Sequence, residues 1–241
     1  MSRQLIFIAT DNQKAVEFIT AYFADTQSIP SIIRAKADLS VLFSCKADMV
    51  FLQDLWIDQR FNRRLVEFKE ANPTLRCFCL GTMPPDGAAW DAGIPYPLDE
   101  RVFRKTILAK VELPQTIKLL MVDDEQGIQE MVKDYFEVRN DPHFSVRTAS
   151  NGLEAFKLVE KDAPHCIILD LKMPVRTGVE FYRDLKRSGL RIPTVVFIDS
   201  TAAEDILEIR KWGAPVFVEK GGPSSSMPDM LALVKKLVAF S

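Results

Sequence analysis

Short apolar runs alternate along the whole chain with longer stretches in which apolar residues recur every three or four positions. LIFIA (Leu5–Ala9) is continuously apolar, as a strand covered on both faces must be. It ends at Thr10-Asp11-Asn12, residue types that cap helices, and Ala15, Val16, Ile19, Tyr22 and Phe23 then recur at helical spacing. Residues 31–35 and 49–52 read as further strands. Phe61, Leu65 and Phe68 mark an amphipathic helix closed by Asn72-Pro73, and 75–80 is the next strand. The stretch TMPPDGAAWDAGIPYP is too rich in Pro and Gly to be a helix. Helical periodicity returns over 99–113 through Val102, Phe103, Ile107 and Leu108.

After a short linker, Pro114-Gln115-Thr116, the cycle restarts. Strands are expected over 117–122, 144–148, 166–169, Thr194–Ile198 and 216–218. Helices are expected over 128–136, 153–160, 179–186, 203–212 and 228–240. Two passes of alternating strand and helix imply an internal duplication, with one α/β domain over 1–113 and another over 116–241, each around a parallel sheet. The repetition shows in ADMVFLQDLW and APHCIILDLKMP, two apolar runs that each end on an acid followed by Leu.

Composition narrows the class. Of the 241 residues, 47% are apolar and 27% charged, with a net charge of −2, so no general basic field points to nucleic acid or an anionic membrane. The four cysteines (Cys45, Cys77, Cys79, Cys166) form no CxxC pair, and three lie in or beside apolar runs where a buried thiol is expected. Reduced thiols and the lack of a signal peptide favour the cytoplasm.

Doubly wound sheets bind ligands at the carboxyl ends of their strands. In the second half the first strand ends in Asp123-Asp124-Glu125, the third in Asp170 and the fifth in Lys220. A single strand-ending Asp more often caps the next helix, but this set does more than cap. Crowded carboxylates demand a cation, and oxygen-only ligands suit Mg²⁺. A carboxylate can also accept a phosphoryl group, with Lys220 supplying positive charge to its oxygens.

MVDDE, ILDLKMPVRTG and VFVEK resemble the signatures of receiver domains of bacterial two-component response regulators, and the resemblance covers nearly all of 116–241. It implies the flavodoxin-like (βα)5 fold, here in tandem, with Asp170 as phosphoacceptor. It implies a Mg²⁺ site of Asp124, Asp123 (partly through water), Asp170 and the Lys172 backbone carbonyl. Lys220 would meet the phosphoryl group, while Met173-Pro174 and Gly178 shape the loop after the acceptor. Phe217 stands at the family's aromatic switch position. Two positions depart from the pattern. Ile198 stands where the family has Ser or Thr, followed by Asp199, so a hydroxyl could come only from Ser200 or Thr201. Gly221 replaces the usual proline.

The same template laid on 1–113 loses the chemistry. The acidic pair falls on Ala9-Thr10 or Thr10-Asp11, the acceptor on Gln53 with Asp54 one residue later, the hydroxyl position on Leu80 with Thr82 two residues on, and the lysine on Tyr96. The first half is therefore expected to be a degenerate receiver whose value lies in its surface, with Trp56 and Trp90 either contact residues of that surface or buried core tryptophans. The resemblance implies a histidine kinase or phosphotransfer protein as donor and a downstream protein partner, with a homodimer as a further association. It implies a signalling module, not an enzyme. The alternative is a scaffold built from two receiver folds that acts without phosphorylation. A metal-dependent phosphohydrolase would show DxDxT after the first strand, where this chain has DDEQG.

Overall fold

The computed structural model describes residues 4–26, 28–83, 87–199, 203–222 and 225–240. The chain divides into two compact units, the first running to Glu112 and the second spanning Leu113–Ala239.

In the first unit β1 (Leu5–Ala9), β2 (Ile29–Ile33), β3 (Met49–Gln53), β4 (Arg76–Leu80) and β5 (Ala92–Ile94) form one sheet in the order β2-β1-β3-β4-β5, with every pairing parallel. The helices are α1 (Gln13–Phe23), α2 (Gln59–Ala71) and α3 (Glu100–Leu108). Asn12, Asp58 and Asp99 cap them, each accepting a backbone N–H through its side chain. On one face of the sheet Leu65 of α2 packs with Leu39, Leu42, Val50, Leu52, Cys77, Trp56 and Trp90. Elsewhere in this unit the Phe51 ring stacks on Phe78 at 5.1 Å and on Phe103 of α3 at 5.4 Å.

The second unit repeats the plan. β6 (Thr116–Val122), β7 (His143–Ala149), β8 (Cys166–Asp170), β9 (Thr194–Ile198) and β10 (Val216–Glu219) are ordered β7-β6-β8-β9-β10, again all parallel. Its helices are α4 (Gln126–Glu137), α5 (Gly152–Lys161), α6 (Gly178–Arg187), α7 (Ala203–Arg210) and α8 (Met227–Ala239). One buried cluster joins the sheet to α5, α6 and α7 through Ala155, Phe181 and Ile209. A second joins it to α4 and α8 through Val132, Phe136, Met230 and Val234. Both units are thus doubly wound, with the strand order reversing between β1 and β3 and between β6 and β8.

The structure departs from the hydrophobic pattern where burial is partial. The second strand runs two residues earlier than 31–35, because an edge strand with exposed Ile29 and Ile32 gives no clean inward face, and Pro30 is tolerated there. A 3₁₀ segment, Lys36–Ser44, replaces a helix between β2 and β3. The Pro- and Gly-rich stretch yields a three-residue strand, β5. Helix α3 stops at Leu108, short of 113. Trp56 and Trp90 are core residues, not surface contacts. The Trp90 indole donates to the buried Asn62 side chain at 2.8 Å, a tertiary partner that no local pattern announces. No described helix is long and apolar enough to cross a membrane.

Candidate functional site

The carboxyl edge of the second sheet gathers Asp123, Asp170 and Lys220. Asp123 follows β6 and is fully buried, Asp170 ends β8 and is 5% exposed, and Lys220 follows β10. Lys220 Nζ lies 2.6 Å from Asp170 Oδ1 and 3.4 Å from Asp123 Oδ2, so one ammonium bridges two carboxylates. The second oxygen of Asp170 accepts the Lys172 N–H at 2.7 Å, and Asp123 Oδ1 accepts the Glu125 N–H at 2.9 Å.

These contacts set the electrostatics. Burial pushes the Asp123 carboxyl above the usual carboxylate range and Asp170 adds to the rise, against the Glu125 N–H and the more distant Lys220. Burial alone would lower the Lys220 ammonium, but the Asp170 and Asp123 carboxylates outweigh it and hold it above the usual lysine value. Lys220 stays charged, and its shorter contact goes to Asp170.

Backbone geometry fixes the acceptor strand end. A Cβ on Gly178 would stand 2.0 Å from the Asp170 carbonyl oxygen, so only glycine lets α6 start against this strand end. The loop between carries Val175 at φ 68°, and the Arg176 N–H closes a tight turn on the Pro174 carbonyl at 2.7 Å. Arg176 pairs with Asp184 of α6, and Thr177 and Glu180 form a reciprocal cap on that helix.

The structure brings together two of the three expected carboxylates. Asp124 is exposed, and among the described residues no group of three or more His, Cys, Asp or Glu side chains closes on a common point. The donors are still all oxygen, with Asp123 and Asp170 convergent and Asp124 at the solvent edge. That fits Mg²⁺, which takes one or two direct carboxylates and keeps several waters. Ile198 is half-buried against the α6–α7 core cluster, as is Phe217, whose ring lies under the Arg210 guanidinium at 5.7 Å. Asp199 is exposed, and Ser200 and Thr201 lie outside the described residues. Pattern reading missed Gln129, which is buried on α4 and donates to the Asp123 carbonyl at 2.5 Å. Its place three residues before Val132, on the inward stripe of α4, was the available signal.

Strand register locates the matching positions of the first unit. Ala9 pairs with Leu52 as Val122 pairs with Leu169, so Thr10 and Gln53 stand where Asp123 and Asp170 stand. Asp11 then matches Asp124 and is exposed. Gln53 pairs with Leu80 as Asp170 pairs with Phe197, which moves the hydroxyl position from Leu80 to Gly81. Position along the apolar run falls one residue short of this, since only the ladder defines where β4 lines up. Leu80 pairs with Ile94 as Phe197 pairs with Val218, so Tyr96 matches Lys220. Here the ion pairs give way to a neutral bond: the buried Thr10 hydroxyl donates to Gln53 Oε1 at 2.5 Å. Burial raises the Tyr96 phenol, partly offset by a hydrogen bond with Thr10. Asp54 accepts backbone N–H groups from Leu55 and Thr82, each at 2.8 Å, and a Cβ on Gly81 would lie 2.3 Å from its carboxylate. Asp54 is a clasp between strand ends.

Two carboxylates bridged by a lysine at the switch point of a five-stranded doubly wound parallel sheet define a flavodoxin-like α/β module with an acidic site. Residues 119–232 match the family model of the response regulator receiver domain. The response regulator SaeR of Staphylococcus aureus is 33% identical over 102 residues, 42% of this chain and 43% of SaeR. The match therefore spans less than half the length of that curated relative. Among solved structures, the chemotaxis protein CheY4 of Vibrio cholerae is 27% identical over 51% of this chain and 98% of its own, with a TM-score of 0.45. A two-component system response regulator/GGDEF domain protein covers 98% of this chain and 99% of its own at 16% identity, with a TM-score of 0.47. The match to the receiver-domain family of two-component response regulators thus falls within the second unit.

Proposed function

We propose that the second unit accepts a phosphoryl group on Asp170 from a histidine kinase or phosphotransfer protein, in the presence of Mg²⁺, and signals through protein contact. The supporting observation is the environment of Asp170: nearly buried, with Lys220 on one carboxylate oxygen and the Lys172 N–H on the other. In the transfer a carboxylate oxygen of Asp170 bonds to phosphorus as the phosphorus–nitrogen bond of the donor histidine breaks, and the imidazole leaves with the bonding pair and takes up a proton. Lys220 offsets charge on the transferred group, and Gly178 lets the acceptor strand end sit close under α6. Mg²⁺, held by Asp123 and Asp170 with Asp124 and the Lys172 carbonyl, would supply charge neutralisation to the phosphoryl oxygens.

The neutral Thr10–Gln53 pair supports reading the first unit as a pseudo-receiver that cannot be phosphorylated at the matching position. Ile198 favours a second reading, a phosphorylation-independent scaffold, because the matching strand end carries no hydroxyl. Incubation with Mg²⁺ and acetyl phosphate separates the two. Acid-labile label on the wild type and its absence from Asp170→Asn is the expected result. An unlabelled wild type that also ignores beryllium fluoride sinks the first reading, and equal labelling of the variant moves the acceptor elsewhere.

A further inference from the structure

Two clusters of opposite charge lie on helix surfaces without ion-pair partners among the described residues. On α2, Arg60, Arg63 and Arg64 are exposed on one face at spacing i, i+3, i+4, and with Gln59 and Glu67 they line a shallow depression. All three sit in the first half of the helix, where like charges repel one another and oppose the positive end of the macrodipole. Arg64 lies over the Phe43 ring at 4.1 Å, but among the described residues no carboxylate pairs with any of the three. An arrangement that breaks two local rules and gains no ion pair among the described residues calls for a partner.

The complement is on the chain itself. On α7, Glu204 and Glu208 are exposed and Asp205 half-buried, and among the described residues none of them is in an ion pair. Read backward from Glu208, these acids fall at offsets zero, three and four, the same offsets as the arginines read forward from Arg60. Two helices laid antiparallel therefore bring Arg60 opposite Glu208 and the Arg63–Arg64 pair opposite the Glu204–Asp205 pair. Antiparallel axes also oppose the two macrodipoles favourably. Leu207, 64% exposed beside the acids, adds apolar surface to the same helix.

We propose that α2 of one copy docks antiparallel on α7 of a second copy. Each chain carries both halves of the contact, so association closes into a two-fold pair that uses it twice or extends head to tail. Exposed ion pairs are individually weak and screened, so the association is dilution- and salt-sensitive.

Sedimentation equilibrium of the full chain tests this, at protein concentrations up to about 0.5 mM, a range suited to contacts carried by exposed ion pairs. The expected result is reversible self-association whose dissociation constant rises at least tenfold between about 0.1 M and about 1 M salt, as the Debye length shortens from about 10 Å to about 3 Å. Arg60→Glu/Arg63→Glu/Arg64→Glu and Glu204→Lys/Asp205→Lys/Glu208→Lys should each be monomeric and folded by circular dichroism. An equimolar mixture of the two variants should recover a hetero-association. A monomeric wild type, association unchanged by either reversal, or a mixture that stays monomeric overturns the proposal. A wild type that stays monomeric yet binds a Glu-rich peptide through the arginines assigns the surface to another partner, and overturns self-pairing too.

Discussion

Val175 is the sharpest test of how the acceptor loop is held. A β-branched residue at φ 68° is a steric outlier, and the left-handed region costs L-residues about 1–2 kcal/mol. The side chain recovers little of this. It is 82% exposed, so the buried remainder contributes only about 0.3–0.5 kcal/mol of the 1.5–3 kcal/mol available to a fully buried valine. Asparagine tolerates this backbone region without the chain entropy of glycine, so Val175→Asn should stabilise the protein by about 1 kcal/mol. Glycine fits equally well but gives up about 0.4–1 kcal/mol through the unfolded state, leaving Val175→Gly ahead of wild type by about 0.5 kcal/mol. For a unit of this size the expected rise in Tm is roughly 2–5 °C for Asn and about half that for Gly. Thermal and urea unfolding followed by circular dichroism would measure both. Destabilisation of both variants by more than about 0.5 kcal/mol would refute the claim that the loop is strained at this residue and held by its neighbours. The neighbours that hold it are the Gly152 N–H on the Arg176 carbonyl and the Arg176–Asp184 pair.

Lys220→Met leaves Asp170 and the buried Asp123 facing each other, and should cost about 2 kcal/mol at neutral pH, less than a fully buried pair because the ammonium reaches solvent. The deficit should shrink on acidification as Asp123, whose carboxyl burial already raises, takes up its proton, and a pH-independent deficit in urea melts would count against the bridging role. The half-buried His165 accepts the Lys118 N–H on Nδ1 at 3.0 Å and has its pKa lowered, first by burial and then by Lys118. Its contribution is complete above its ordinary pKa of about 6.5 and is lost as pH falls from there through the lowered folded value, so His165→Gln should flatten the acid limb of the stability profile. Cys77, Cys79 and Cys166 are buried, with burial pushing each thiol up to about 12. An aromatic disulfide reagent near neutral pH should therefore titrate Cys45 quickly in the folded protein and the other three only after denaturation.

Much of this protein is legible in one dimension. Continuously apolar strands such as LIFIA and CIILD declare sheets covered on both faces, because no polar-out alternation survives there. The acids and lysine of the second unit were legible because strand ends of a doubly wound sheet converge by topology, so Asp123, Asp170 and Lys220 meet wherever the strands fold. Convergence does not settle which side chains touch. Only the packed structure places Lys220 between two carboxylates and leaves Asp124 in solvent, since burial differs between adjacent residues of one loop. Register is likewise a property of the ladder and not of the run: Gly81 displaced Leu80 because hydrogen bonds, not apolar counts, align β4 with β3. Trp90, buried on the Asn62 amide, makes the same point for side chains, because its partner lies on a helix 28 residues away. Short-range pattern determined the elements and the reactive residue types. Long-range contact decided their alignment, their burial and hence their charge.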